Sequence, residues 1–114
     1  MKRTAILVLV LAAIAGGAYY LFTAGPDVYS QTTQILRSFN VMLESVGSDL
    51  HHVVHVNVFL KDMQDFERMN QAYVEKMGDH RPARTVIGVH ELPKPGVLLT
   101  MNLTAVTKEQ ASSR

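Results

Sequence analysis

The fold of this chain is decided by residues 79–93, whose sequence is Asp-His-Arg-Pro-Ala-Arg-Thr-Val-Ile-Gly-Val-His-Glu-Leu-Pro. Pro82 fixes its own φ and disfavours helical backbone at Arg81, so an extended segment is favoured directly after it. Four of the next residues are β-branched, and Leu92-Pro93 ends the run before a Lys-Pro-Gly turn. The pattern predicts a strand that begins at Arg84, whose planar guanidinium is suited to a carboxylate. The same spacing also allows an ordinary surface arginine that pairs with an acidic side chain.

Size and composition limit the chain to a single domain. It has 114 residues, with 11 basic and 10 acidic side chains and a formal net charge of +1, and no block of like charges. This balance gives no electrostatic footprint for nucleic acid, so no nucleic-acid partner is predicted. Cysteine is absent, which excludes disulfides, thiolate catalysis and cysteine-ligated zinc. No cofactor is predicted, and the small core indicates that self-association would help stability.

The N-terminal segment, residues 1–25, is predicted to be a signal peptide or a membrane anchor. Two basic residues precede an uncharged run, and its apolar part, residues 4–22, has about the minimum length for crossing a bilayer as a helix. Ala13-Ile14-Ala15 is also an acceptable cleavage site for a signal peptide. The segment therefore predicts a protein that is membrane-anchored or exported to a periplasmic or other extracytoplasmic compartment. In the alternative, residues 16–25 form a strand of the sheet and the protein is cytoplasmic.

Residues 26–109 are predicted to form the folded domain. Apolar side chains recur at helical spacing over residues 28–46, which predicts one amphipathic helix. A second helix is predicted between Asp62, a plausible N-cap, and Gly78, a plausible stop. Both helices have an apolar stripe that would pack on a sheet.

Two further segments, 53–60 and 97–106, alternate between apolar and polar side chains and are predicted to be strands. In the first of them, one face is predicted to carry Val54, Val56, Val58 and Leu60. The order helix, strand, helix, strand, strand predicts an α+β domain, with a mixed β-sheet covered on one face by two helices. The polar residues 110–114 are predicted to be a flexible tail.

Three histidines, His51, His52 and His55, raise the question of a metal site. The residues around them favour a strand, in which His51 and His55 would lie about 13 Å apart and could not bind the same ion. No metal site is predicted.

Several motifs resemble the Rid family of RidA-type reactive-intermediate (enamine/imine) deaminases. Arg-Pro-Ala-Arg-Thr at 81–85, followed by Leu92-Pro93, is similar to the C-terminal signature of that family. The similarity extends upstream over Val-Gly-Ser-Asp-Leu at 46–50, Val-Phe-Leu-Lys-Asp-Met at 58–63 and Met-Asn-Gln-Ala-Tyr at 69–73. The resemblance covers roughly residues 28–109. It implies an α+β fold related in shape to a small chorismate mutase, assembled as a homotrimer with a pocket between each pair of subunits.

The resemblance also implies three site residues. Arg84 matches the arginine that binds the carboxylate of a 2-imino acid, and Asn70 matches a supporting, hydrogen-bonding asparagine. The water-activating glutamate of the family falls on Asn102, which makes Asn102 the candidate catalytic residue. Asparagine can orient a water molecule but cannot take its proton, and a positioned acid or base typically contributes about 10²- to 10⁴-fold.

The function implied by the resemblance is hydrolytic deamination of reactive 2-imino and enamine acids derived from amino acids. The products would be 2-oxo acids and ammonia, as in a 2-iminobutanoate or 2-iminopropanoate deaminase, and Asn102 predicts a weakened rate. The alternative is a non-catalytic module that binds small carboxylate metabolites or a protein partner.

Overall fold

The computed structural model describes residues 6–12 and 26–112. They form four strands, β1 (Ile6–Ala12), β2 (Val53–Leu60), β3 (Ala83–Gly88) and β4 (Leu99–Val106). They also form three α-helices, α1 (Val28–Glu44), α2 (Phe66–Met77) and α3 (Lys108–Ser112). Short 3-10 turns at Leu50–His52 and Met63–Asp65 precede β2 and α2. The predicted α+β class is confirmed.

The strands form one mixed sheet in the order β1-β4-β2-β3. β4 lies between β1 and β2 and is antiparallel to both, whereas β3 is parallel to β2. A parallel pair needs a crossover connection, and α2 provides it. α1 packs against α2, and both helices contribute to the core on one face of the sheet, as the sequence predicts.

The core lies between these two helices and the sheet. Its members share near-complete burial of an apolar or aromatic side chain. The helices supply Val28, Ile35, Leu36, Phe39, Leu43, Met69, Tyr73 and Met77, and the strands supply Val53, Val56, Val58, Leu60, Leu99, Met101, Leu103 and Ala105.

The prediction that Val54 shares a face with the other valines of β2 is wrong. The pairing of β2 with β4 shifts register between Val53 and His55, as in a β-bulge. A bulge adds one residue to one strand, so the alternation reverses across it. Val53 is therefore 1% exposed and lies in the core, whereas Val54 is 47% exposed.

Strand β1 contradicts the predicted membrane segment. Its residues pair with β4 in unbroken register, from Ile6 opposite Val106 to Ala12 opposite Thr100. A short apolar run fits a strand as well as part of a helix, because period alone does not separate the two. Within the described ranges, no helix has the length and apolar character needed to cross a bilayer. The alternative strand at residues 16–25 lies outside the described residues.

The C-terminal end of the domain is attached to the turn after α1. The backbone N–H of Lys108 donates to the carbonyl of Gly47 at 2.8 Å. The buried hydroxyl of Ser48 donates to the carbonyl of Val106 at 2.6 Å. Flexibility of residues 110–114 stays a prediction, although α3 extends to Ser112.

Candidate functional site

Arg84 lies on β3, an edge strand of the sheet, and faces the helices. Its register partner on the parallel neighbour β2 is Val56, which is fully buried in the core. Register partners on adjacent strands point to the same face, so Arg84 extends beneath α2 rather than toward the opposite face. The sheet edge leaves the side chain partly exposed.

Three residues of α2 hold the Arg84 guanidinium. Its Nη1 donates a hydrogen bond to Oδ1 of Asn70 at 2.7 Å. Its central carbon lies 4.6 Å from the centroid of the Tyr73 ring and 5.8 Å from that of Phe66. Rings at such distances attract a cation through their quadrupole. The guanidinium is therefore oriented, while donors remain free, because a guanidinium has five N–H groups.

The charge of Arg84 has no acidic partner among residues 26–112. Arg84 takes part in none of the ion pairs given for that range, such as the one between Lys108 and Asp49. The alternative of a surface arginine paired with an acid therefore does not describe this side chain. A cation held in place without a counterion is suited to an anionic ligand.

A cleft of about 270 Å³, here called the Arg84 cleft, opens beside this guanidinium. It is lined by Asn70, Tyr73, Val74, Arg81, Pro82 and Arg84. Two guanidinium groups and no carboxylate are present among these lining residues. The cleft therefore favours a small anion such as a carboxylate.

Tyr73 contributes a buried hydroxyl to the cleft. The side chain is 3% exposed, and its hydroxyl has no hydrogen-bond partner within residues 6–12 and 26–112. Burial raises the pKa of Tyr73, and the charges of Arg84 and Arg81 oppose this shift without cancelling it. The hydroxyl is consequently protonated near neutral pH and available as a donor.

Sequence reasoning missed Tyr73 and Arg81 as site residues. Helical spacing places Tyr73 in the apolar stripe of α2, and no motif gives Arg81 a role in binding. The spacing of Asn70 and Tyr73 could have identified the former, because residues three apart share a helix face.

Asn102 lies on the other face of the sheet from Arg84. Its register partner on β2 is Asn57, which adjoins Val56 and so points the opposite way. Nδ2 of Asn57 donates to Oδ1 of Asn102 at 2.9 Å. The fold thus brings Arg84 and Asn70 together, but within one chain it keeps Asn102 away from them.

The family model described as endoribonuclease L-PSP matches residues 13–107, most of the chain. The chain belongs to this family. It is the family of the Rid, RutC and YjgF proteins, so the predicted membership is confirmed.

Family members of known sequence or structure resemble this chain over much of its length. A RutC family protein of Pyrococcus horikoshii is 44% identical over 68 residues, which are 60% of this chain and 54% of that protein. The crystal structure of yeast Mmf1 is 35% identical, with a TM-score of 0.68, over 72% of this chain and 65% of that one. A YjgF-family member of Mycobacterium tuberculosis is 21% identical and shares the fold, with a TM-score of 0.76 over 93% of this chain and 82% of that one. The chain thus spans little more than half the length of the first of these relatives.

The family membership completes the correction of the predicted localisation. The family match begins at residue 13, inside the segment predicted to be a signal peptide or anchor. Two relatives, the MMF1 proteins of Saccharomyces cerevisiae and Schizosaccharomyces pombe, are described as mitochondrial. Together with strand β1, these findings overturn the prediction of a membrane-anchored or exported protein.

Two histidines near the start of β2 have hydrogen-bond partners in this Rid-family fold, and one of them, His52, belongs to the group considered for metal binding. His52 Nδ1 lies 2.7 Å from Oδ1 of Asp49, and His80 Nε2 lies 2.7 Å from the carbonyl of Val53. Burial alone would raise the pKa of Asp49, but hydrogen bonds from His52 and from the backbone of His51 outweigh it, so the pKa is lowered. These contacts stabilise the turn that leads into β2.

Proposed function

We propose that this Rid-family protein binds small 2-imino and 2-oxo acids through Arg84 and hydrolyses the imines to 2-oxo acids and ammonia. The observation that carries the proposal is the Arg84 guanidinium, oriented by Asn70 and Tyr73 beside a cleft with no acidic partner among the described residues. An oriented guanidinium can bind a carboxylate with two parallel hydrogen bonds. The carboxylate next to the reacting carbon would thereby fix the position of the C=N bond.

Hydrolysis then needs a water molecule at the imine carbon and a proton at its nitrogen. Water adds across the C=N bond, its oxygen to the carbon and one proton to the nitrogen, which gives a carbinolamine. The carbinolamine hydroxyl then loses its proton as the nitrogen gains one, and the C–N bond breaks to release ammonia and leave a C=O group. None of the side chains that line the Arg84 cleft is a carboxylate or a histidine. The chain's contribution to rate would therefore come mainly from binding and orientation.

The proposal places the working pocket between two subunits of a homotrimer. Asn102 lies on the opposite face from Arg84 of its own chain, so Asn102 could reach a bound ligand only from a partner copy. That face carries polar and apolar side chains of β2 and β4 with intermediate exposure, and α1 and α2 pack on the other side. A second copy could cover it.

A side chain at position 102 that can take a proton should restore acid–base assistance. In Asn102→Glu, Nδ2 of Asn57 could still donate to the new carboxylate, since it now donates to the Asn102 carbonyl oxygen. A positioned general base contributes about 10²- to 10⁴-fold, so even a poorly placed glutamate should give a measurable gain.

The test is hydrolysis of 2-iminobutanoate, generated in place by an amino-acid oxidase, with the full chain, Arg84→Ala and Asn102→Glu. Arg37→Ala is the matched control, because Arg37 is an exposed arginine of α1 outside the Arg84 cleft. We expect the full chain and the control to hydrolyse the imine, Arg84→Ala to lose this activity, and Asn102→Glu to hydrolyse it faster than the full chain. Equal rates for the full chain and for Arg84→Ala would contradict the proposal.

A second candidate, a non-catalytic module for carboxylate metabolites, is favoured by the lack of an acid or base among the cleft residues. It predicts saturable binding of 2-oxobutanoate that Arg84→Ala abolishes, with no imine turnover. The family description also names an endoribonuclease. A net charge of +1 does not provide the extended basic surface that RNA binding requires, so we do not propose that activity for this chain.

A further inference from the structure

The Arg84 cleft contains a second cation, Arg81, that the proposed function does not use. Arg81 donates from Nη1 to the carbonyl of Gly78 and, at 3.0 Å, to that of His80. These bonds attach its side chain to the end of α2, while the side chain also lines the cleft. Pro82 restricts the backbone between this residue and β3. The position of the second guanidinium is therefore constrained as well.

Both guanidinium groups line the same cleft as Tyr73. The central carbon of the Arg84 guanidinium lies 4.6 Å from the centroid of the Tyr73 ring. In keeping with this placement, burial raises the pKa of Tyr73 while the charges of Arg84 and Arg81 oppose the shift. Among the residues that the structure describes, the buried Tyr73 hydroxyl has no hydrogen-bond partner and no carboxylate lines the cleft. Two like charges and an unpaired donor around one cavity would be relieved by a ligand with two anionic groups.

We propose that the Arg84 cleft selects dicarboxylic 2-oxo and 2-imino acids over monocarboxylic ones, with Arg81 as the residue that determines this specificity. Arg84 binds the carboxylate next to the reacting carbon, as in the proposed function on which this inference rests. Arg81 binds the distal carboxylate, and the Tyr73 hydroxyl donates to the ligand between them. A cavity of about 270 Å³ is suited to a ligand of this small size.

The test compares two ligands that differ only in the distal group, 2-oxoglutarate and 2-oxopentanoate. Their dissociation constants are measured by calorimetry for the full chain, Arg81→Gln, Arg37→Gln and Arg84→Ala. Glutamine at 81 removes the charge but keeps a side-chain donor for the carbonyls of Gly78 and His80. Circular dichroism checks that the variant is folded. Arg37→Gln removes one positive charge outside the cleft, so it controls for the effect of net charge on binding.

We expect the full chain to bind 2-oxoglutarate about fivefold more tightly, the size of a partly exposed ion pair. The ratio of the two constants should fall to about one in Arg81→Gln and persist in Arg37→Gln. A ratio of one in the full chain, or a preference that survives Arg81→Gln, would overturn this inference. If Arg84→Ala still abolishes 2-oxopentanoate binding in that case, the proposed function stands. Binding of both ligands that is unaffected by Arg84→Ala would overturn the two together.

Discussion

Replacing Tyr73 by phenylalanine is expected to stabilise the unliganded protein. The tyrosine hydroxyl is buried, and no described residue forms a hydrogen bond with it, so folding removes it from water with no compensation from that part of the chain. A buried, unpaired hydroxyl destabilises a protein by about 1 to 3 kcal/mol. Phenylalanine removes that group and keeps the ring that lies 4.6 Å from the Arg84 guanidinium carbon, so no large cavity results.

The expected change is therefore a gain of about 1 to 2 kcal/mol in the free energy of unfolding. For a domain of this size it corresponds to an increase in Tm of about 4 to 8 °C per kcal/mol. Urea unfolding followed by circular dichroism measures it, at one fixed protomer concentration, because self-association would make the apparent stability depend on concentration.

The same substitution should weaken ligand binding, although it stabilises the unliganded protein. If the hydroxyl donates to a bound 2-oxo acid, Tyr73→Phe should weaken binding by about fivefold, the value of one ordinary hydrogen bond. The control is Tyr29→Phe, because the Tyr29 hydroxyl donates to Glu75 and its loss should not stabilise the protein. A Tyr73→Phe variant that is less stable than the full chain would refute the reasoning, since the hydroxyl would then have a partner in solution.

Three other predictions concern stability. Asp27→Ala should destabilise the protein by about 1 kcal/mol in urea unfolding, because Oδ1 of this N-cap accepts from the backbone N–H of Ser30 at 2.7 Å; an unchanged midpoint would show that the cap is dispensable. The pKa of Asp49 lies below its ordinary 3.8: burial raises it, but hydrogen bonds, led by the one from His52, outweigh burial. The stabilising contribution of Asp49 should therefore be complete above pH 3.8 and be lost as the pH falls through the folded pKa. The Asp49→Asn variant should therefore lose less free energy of unfolding than the unmodified protein between about pH 5 and about pH 3, the range in which aspartate titrates. An equal loss in both proteins would contradict this. Deleting residues 1–12 should lower the urea midpoint of unfolding and increase light scattering, because β4 would lose its β1 partner and expose an unpaired edge. A deletion variant as stable and monodisperse as the full chain would argue against a structural role for β1.

The sequence predicts most of the described fold because the signals there are local. Helical spacing, a glycine stop and two-residue alternation identify α1, α2, β2 and β4 within a few residues. Pro82 and the β-branched run after it identify β3. Strand β1 was missed because its uninterrupted apolar residues have no period that distinguishes a strand from a membrane helix.

Part of the candidate site follows from the family resemblance, and part does not. Arg84 and Asn70 were both chosen from motifs, and their side chains meet at 2.7 Å, although their role in binding stays a prediction. The separation of Asn102 from Arg84 depends on the pairing of β2 with two different neighbours, which no single motif records. The unpaired Tyr73 hydroxyl likewise depends on long-range packing among the described residues, which no single motif records.

The sequence by itself determined the α+β class, the family and the arginine of the cleft, because each depends on residues close together in the chain. The tertiary structure decided that residues 6–12 belong to the sheet, that Val53 rather than Val54 enters the core, and that Arg84 and Asn102 lie on opposite faces. Those features depend on strand register, and a shift of one residue in register exchanges the two faces of a strand. Register is set by long-range pairing, so it becomes visible only when the whole chain is folded.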